Sequence, residues 1–419
     1  MSTIERAISY LNKNADDWEI FSAKGHSRSA TLERGRIKNI LEGVESVYSV
    51  RVIVKGRVGF ASSNSPDGLI KLCENAIKIS KISEEMLNAF PEGGMSRVEG
   101  IYDKRVDEVD SRWIKEAVEK MVNVFPENVN PAQGMVDTGK RTVKLINSSG
   151  TELKSRGTVC TALIEAVIED SSGFEMIQSR MLDVDFEAAG KKASELALRS
   201  LKAEKIGKVE CDVVLSPVAA SQLFFFTLYP AFSAENIAKG RSLLAGKIGE
   251  SFGEFNLVDD GTLKGGFVTS PFDDEGSPTK KTVVFEEGVF RNPITDYRFS
   301  RVLNIDLTGN GFREEATSYP RTLPSNVIID FSYKSGSVED DAFVVNSFIG
   351  AHTSNPISGD FSLECQNSFL NGKPVKSAML YGNIYDLLKK IEVIGKDVRQ
   401  VDNTVTPSIR FSNLVVSGQ

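Results

Sequence analysis

Residues 47–62 read VYSVRVIVKGRVGFAS, with apolar side chains recurring at alternate positions on both sides of Lys55-Gly56. A period of two cannot keep one face of a helix apolar, and a Lys-Gly pair between two such runs is the expected turn of a β-hairpin. The alternation extends upstream through WEIFSA (18–23) and SATLERG (29–35), which predicts further short strands. A helix is predicted before them, because Ile4, Ala7, Ile8 and Leu11 share one helical face. From Ser65-Pro66 the period changes to place Leu69, Leu72, Cys73, Ala76 and Ile77 on one side of a second helix. A third follows Asp110, burying Ile114, Ala117, Val118, Met121 and Phe125. Strand-like RTVKLINSSG (141–150) and TVCTALIEAVIED (158–170) then precede an alanine-rich helix over 185–201. This half is predicted to be α+β, an antiparallel sheet carrying helices. No internal repeat is visible.

A chain of 419 residues is too long for one ordinary core, so two domains are expected. The short charged stretch KAEKIGKVE (202–210) is the natural boundary, giving domains at 1–205 and 206–419. Beyond it, CDVVLSP, TKKTVVFEEGVFRNP, SNVIIDF, AFVVNSFIGAHTS, KPVKSAMLYG and SIRFSNLVVSG read as strands. Helices are predicted from Pro217 to about Gly240 and from Ile384 to Ile391. The second domain is therefore predicted to be mainly β, barrel-like or a sandwich.

Hydrophobic residues make up 41 % and charged residues 26 %, the mixture of a folded globular protein. A formal charge of −7 gives no electrostatic footprint for nucleic acid. The apolar run LFFFTLYPAF (223–232) is roughly half the length that crosses a bilayer and contains Pro230, so a buried core helix is expected and no membrane. The first residues carry charges where a signal peptide needs an apolar run, so no export is expected, and Cys73, Cys160, Cys211 and Cys365 are far apart without a disulfide pattern. A reducing cytoplasm fits both.

Histidine and cysteine are few enough to audit for a metal. His26 and His352 with the four cysteines make six candidates, and the closest pair, His352 and Cys365, is thirteen residues apart. A catalytic zinc wants converging ligands, often two histidines at helical spacing, so no local metal clip exists. The match GESFG (249–253) to a serine nucleophile elbow is in reversed context, with a helix-like stretch before it and a strand-like one after. Asp273, Asp274 and Glu275, consecutive acids in PFDDEG, form either a solvated turn or a cluster offset by some positive group, a cation or a peptide amine. His352 lies among turn formers including Asn355-Pro356 and Ser358-Gly359-Asp360, which favours a shaped loop or substrate contact over a titrating base.

Four segments occur in order: PFDDEG (271–276) with FEEGVF (285–290), TGNGFR (308–313), NPISGDFS (355–362) with NGKPV, and YGNIYDLLKKIEVIGKDV (381–398). With the ending PSIRFSNLVVSG, this set resembles the TldD/PmbA family, long labelled modulators of DNA gyrase. The resemblance covers most of residues 210–419. It implies peptide proteolysis by paired subunits, one of which carries a His-Glu-x-x-x-His helix and a later cysteine that hold zinc. In this chain the corresponding positions fall on Phe225, Phe226 and Pro230, and residues 397–407 contain no cysteine. That double loss resembles the PmbA branch, also called TldE, and implies a subunit without catalytic residues, metal or cofactor of its own. Its partner would be a TldD-like zinc-bearing subunit in a heterodimer, with a homodimer possible in isolation. The candidate substrate or interface residues are His352, Asn355, Asp360, Asp273, Asp274, Glu275 and Cys365; the Glu364-Cys365 pair departs from the small residues common in that branch. Two other functions compete: a stand-alone metallopeptidase using His352, Cys365 and the 273–275 acids, and a regulator that binds gyrase or another protein.

Overall fold

The computed structural model describes residues 3–65, 68–331 and 336–418. Pro66 therefore lies outside the described residues. The first half is one chain path traced twice. Helix α1 (Thr3–Asn14) leads into strands β1 (Asp17–Glu33), β2 (Arg36–Val54) and β3 (Arg57–Ser63), then helix α2 (Leu69–Ser80). Helix α3 (Ser111–Val122), strands β4 (Asn130–Asn147), β5 (Glu152–Ile168) and β6 (Ser171–Ser179), and helix α4 (Phe186–Arg199) repeat it. The strands form one sheet in the order β3-β2-β1-β4-β5-β6, so the leading strands of both units pair at its centre, Glu19 opposite Asn147 and Glu33 opposite Gln133.

This duplication corrects the expectation of no repeat. The two units share a hydrophobic period and a path, not residues, so comparing letters cannot find them. The expected short strands are also joined: WEIFSA and SATLERG are two parts of a single 17-residue β1.

All four helices cover one face of the sheet. Trp18, Ile20, Val50 and Val52 pack against Leu69, Leu72, Cys73 and Ala76, while Ala30, Leu32, Val136 and Ala162 pack against Ile114, Met121 and Ala193. Each unit uses the same device for close approach. A Cβ on Gly59, third in β3, would fall 2.0 Å from the Ala76 carbonyl oxygen; one on Gly173, third in β6, would fall 2.2 Å from that of Ala193. Only glycine lets these helices lie directly on the strand backbone.

In the second half, β7 (Lys208–Leu215) joins strands Phe343–Ile349, Asp360–Leu370, Ala378–Asn383 and Ile409–Gly418. The first and last of that circuit, Phe343–Ile349 and Asp360–Leu370, pair with each other and close a five-stranded barrel. A separate six-stranded sheet containing Asn256–Asp260, Lys281–Glu286 and Val327–Asp330 lies beside it. Phe224, Phe232, Phe255, Phe285, Phe290, Phe343 and Phe411 fill the core. No helix among the described residues is long and apolar enough to cross a membrane.

Helix α5 (Pro217–Thr227) begins at Ser216, whose hydroxyl accepts from the Ala219 N–H at 3.2 Å. It is shorter than the expected run to Gly240, since Pro230 cannot continue the ladder of hydrogen bonds. Nor is its aromatic run all core. Leu223 and Phe224 are fully buried, but Phe225 is 45 % exposed.

Gly59→Ala and Gly173→Ala should each lower the urea midpoint, by about 1–3 kcal/mol of stability, because backbone on the facing helix must move. Gly207→Ala, with nothing within 4 Å of the added carbon, should leave it nearly unchanged.

Candidate functional site

The face of the first sheet opposite its helices meets the second half, and the meeting is organised by a buried charge. Arg51, on β2, is opposite Glu19 on β1 and donates to it through Nε at 3.1 Å and Nη2 at 2.8 Å. Its Nη1 donates to Glu275 of the second half at 2.7 Å. The Arg51 and Glu19 side chains are 1 % exposed and that of Glu275 is 4 %. Phe90 and Tyr319 flank the guanidinium, with ring centroids 4.8 Å and 5.5 Å from Cζ. The two carboxylates hold Arg51 firmly protonated against the opposing effect of burial.

The remaining acids of PFDDEG build the loop that presents Glu275. Asp273 Oδ1 accepts from the Glu275 and Ser277 N–H groups at 3.0 and 2.9 Å, and Oδ2 from that of Gly311 at 2.9 Å. Burial, then the charge of Glu275, pushes the Asp273 carboxyl well up. Asp274 Oδ2 accepts from the Arg313 N–H at 2.9 Å. Glu275 Oε2 accepts from the Tyr297 N–H at 2.8 Å. The positive group that offsets this acidic run is thus Arg51 of the other half, and the PFDDEG and TGNGFR segments are adjacent because one holds the other. Beside them, Asp296 caps the helix Tyr297–Leu303 and accepts from Thr322; burial, then Glu275, pushes its carboxyl up to about 7.

Next to this joint a cleft of about 1050 Å³ opens between the halves. Its floor is the open part of the first sheet, with Arg141, Val143, Gly157 and Arg180. Phe225, Phe226, Tyr229 and Pro230, at and beyond the end of α5, form one wall; Phe267, Thr269, Phe272 and Asp274 form another. His352, on an exposed turn, closes the rim, its ring centroid 6.4 Å from that of Phe226 at 72°.

The structure therefore brings Asp274 and His352 into one cavity with the Phe225, Phe226 and Pro230 positions. Asp273 and Glu275 lie buried beneath it. Asn355 and Asp360 shape the neighbouring loop instead of lining the cleft: Asn355 Oδ1 accepts from the Ile357 and Ser358 N–H groups, and Asp360 from the Ser358 hydroxyl and the Asn383 amide. Cys365 is buried in the barrel core, where desolvation pushes its thiol up to about 12, so it is not a thiolate near neutral pH. Two phenyl rings and a proline offer no lone pair at the cleft wall, and among the described residues no three His, Cys, Asp or Glu side chains converge to hold a metal.

Sequence reasoning missed the arginines. Arg51 stands in the otherwise apolar VRVIV, and a charge on the alternating face of a strand was the available signal. Arg141 and Arg180 gave none, since only the tertiary structure places them in the cleft.

Comparison with known proteins places three family models along the chain: PmbA/TldA metallopeptidase domain 1 over residues 18–80, the central domain over 100–201 and the C-terminal domain over 208–418. An uncharacterized protein of Methanocaldococcus jannaschii is 33 % identical over 99 % of this chain and 100 % of its own length. A metalloprotease of the same organism is 28 % identical over 89 % of this chain and 88 % of its own. The crystal structure of TldE from Thermococcus kodakarensis superposes with a TM-score of 0.92 at 25 % identity, covering 100 % of both chains. A Thermotoga maritima structure described as a modulator of a DNA gyrase gives 0.89 at 25 %, covering 99 % of both.

Arg51→Met should cost about 3–5 kcal/mol in chemical denaturation, because Glu19 and Glu275 are left buried without a cation. A second effect concerns pH. The folded pKa of Asp296, about 7, lies above the roughly 3.9 of an unfolded aspartate, so the folded chain holds that proton more tightly. This stabilisation is complete below about pH 4 and lost as the pH rises through about 7. Asp296→Asn should accordingly show a flatter decline of thermal midpoint over that window than the unsubstituted chain.

Proposed function

The chain belongs to the PmbA/TldD metallopeptidase family, and we propose that within it this protein is the subunit that holds no metal, working in a TldD/TldE-type heterodimer. Its partner is a relative carrying the His-Glu-x-x-x-His ligands, and the pair cleaves peptides or unfolded proteins in the cytoplasm. The observation that carries this reading is the chemistry of the cleft wall. Phe225, Phe226 and Pro230, the positions that the resemblance sets against the zinc motif, line an open cavity. A subunit that kept the cavity and lost the ligands can bind or enclose a peptide, but it has no Lewis acid with which to activate water.

The likeness to TldE supports the same assignment. The alternative set of ligands, His352, Cys365 and the 273–275 acids, draws no support from the geometry. Cys365 faces the barrel core, and Asp273 and Glu275 are already engaged by backbone N–H groups and Arg51.

Purified alone, the chain should contain far less than one zinc per polypeptide and leave unstructured peptides intact. Co-expressed with a relative bearing His-Glu-x-x-x-His, it should co-purify with that relative and the pair should cleave, with activity lost to a chelator. Stoichiometric zinc in the isolated chain that disappears in His352→Ala would overturn the assignment.

A further inference from the structure

The cleft carries a charge imbalance that neither the joint nor the aromatic wall explains. The whole chain has a net charge of −7, yet five arginines and three acidic residues line this one cavity. Arg321 is paired with Glu235 and Glu314, and Arg313 packs over the Phe21 ring beside Asp274. Among the described residues Arg321 alone of the five forms an ion pair, and what sets Arg141 and Arg180 apart is that they stand side by side on the sheet.

Arg180 donates to three backbone carbonyls, those of Gly266 at 3.3 Å, Thr158 at 3.2 Å and Thr269 at 3.1 Å. These bonds fix the guanidinium across the two halves without neutralising it, and they do not use all its N–H groups. The Arg141 side chain is exposed and, among the described residues, makes no hydrogen bond. The sheet places the two together. Arg141 on β4 is directly opposite Gly157 on β5, and a Cβ on Gly157 would lie 3.0 Å from Arg180 Nη1. The Arg180 guanidinium therefore occupies the space over that glycine, next to Arg141. On its other side Arg141 is opposite Gly25 of β1, so neither neighbouring strand sets a side chain against it. Burial, then the charge of Arg141, pushes the Arg180 pKa down to about 10. Two like charges held side by side in a part-buried cleft lack an anion.

We propose that Arg141 and Arg180 form a carboxylate subsite at the sheet end of the cleft, which takes a carboxylate of a bound peptide. The planar forks of two guanidinium groups suit a carboxylate. The rest of the cavity, with its aromatic wall and a volume of about 1050 Å³, suits the apolar body of a short peptide. This inference deepens the proposed function and rests on reading the cleft as a peptide site. The carboxylate has two possible sources, the chain terminus or an acidic side chain.

Fluorescence anisotropy on the purified full chain separates them, with three N-terminally labelled apolar hexapeptides. One ends in a free carboxylate, one in an amide without acidic residues, and one in an amide with an internal glutamate. The free acid should bind at least about tenfold more tightly than the acid-free amide. Arg141→Gln should reduce its affinity to that of the amide, and Arg141→Lys should retain part of the difference. Among the described residues the Arg141 side chain has no partner to lose, so the circular dichroism and melting of Arg141→Gln should match the unsubstituted chain. Recovery of affinity by the glutamate amide means that side chains are also accepted; no recovery restricts the site to the terminus, and either supports the subsite. Equal binding of free acid and acid-free amide, unchanged binding in Arg141→Gln, or no saturable binding of the free acid overturns it. Those results leave zinc content and cleavage by the co-expressed pair unaffected. Conversely, stoichiometric zinc in the chain alone would overturn the proposed function without altering the peptide affinities.

Discussion

The arrangement of the two halves depends on Arg51 having two carboxylates in a place without water. Desolvating a guanidinium is costly, and the cost is offset here by a bidentate bond to Glu19, a single bond to Glu275 and two flanking aromatic rings. Because Glu19 and Arg51 come from the first sheet and Glu275 from the second half, the cluster is satisfied only when the halves meet in one register. A shift in either would leave a buried charge unpaired. Leu145, Leu153 and Phe272 pack as a small apolar patch across the same boundary, and they tolerate sliding far better than a directional ion pair does.

From this cluster the geometry propagates to the cleft by short steps. Glu275 also holds the Tyr297 N–H, Asp273 holds that of Gly311, and Asp274 that of Arg313. The loop that closes one side of the cavity is therefore built outward from the buried charge. Acidic residues that look like a binding site in the sequence are mostly occupied in making the wall. Asp274 alone among the three reaches the cavity.

The duplicated first half puts one architecture to two uses. On the face opposite the helices, the first unit supplies Phe21, Arg51 and Phe60 to the buried joint, while the second supplies Arg141, Val143, Gly157 and Arg180 to the open cleft. The helix-packing glycines at 59 and 173 are equivalent, so the scaffold is held in common while the exposed faces diverge. On this view the first unit fixes position and the second is free to recognise a ligand.

The α+β first half, the barrel of the second, and helices α2, α3 and α4 were legible in the chain because a period of two or of 3.6 is a local property. Motif letters also carried the family, and PFDDEG, TGNGFR and NPISGDFS each shape a loop partly by bonds within or between those segments. That Phe225, Phe226 and Pro230 carry no metal-binding side chain was equally plain. Three things needed the tertiary structure. That β1 is one long strand follows from its pairing with β2 and β4 along its length, which no local run encodes. That Glu275 faces Arg51 joins residues 224 positions apart, and that Phe225 faces a cavity instead of core depends on what the first half leaves uncovered. Local periodicity determines which elements form. Which charges meet, and which arginines are left without a carboxylate among the described residues, is decided only when the surfaces of the two halves are brought together and water is excluded from between them.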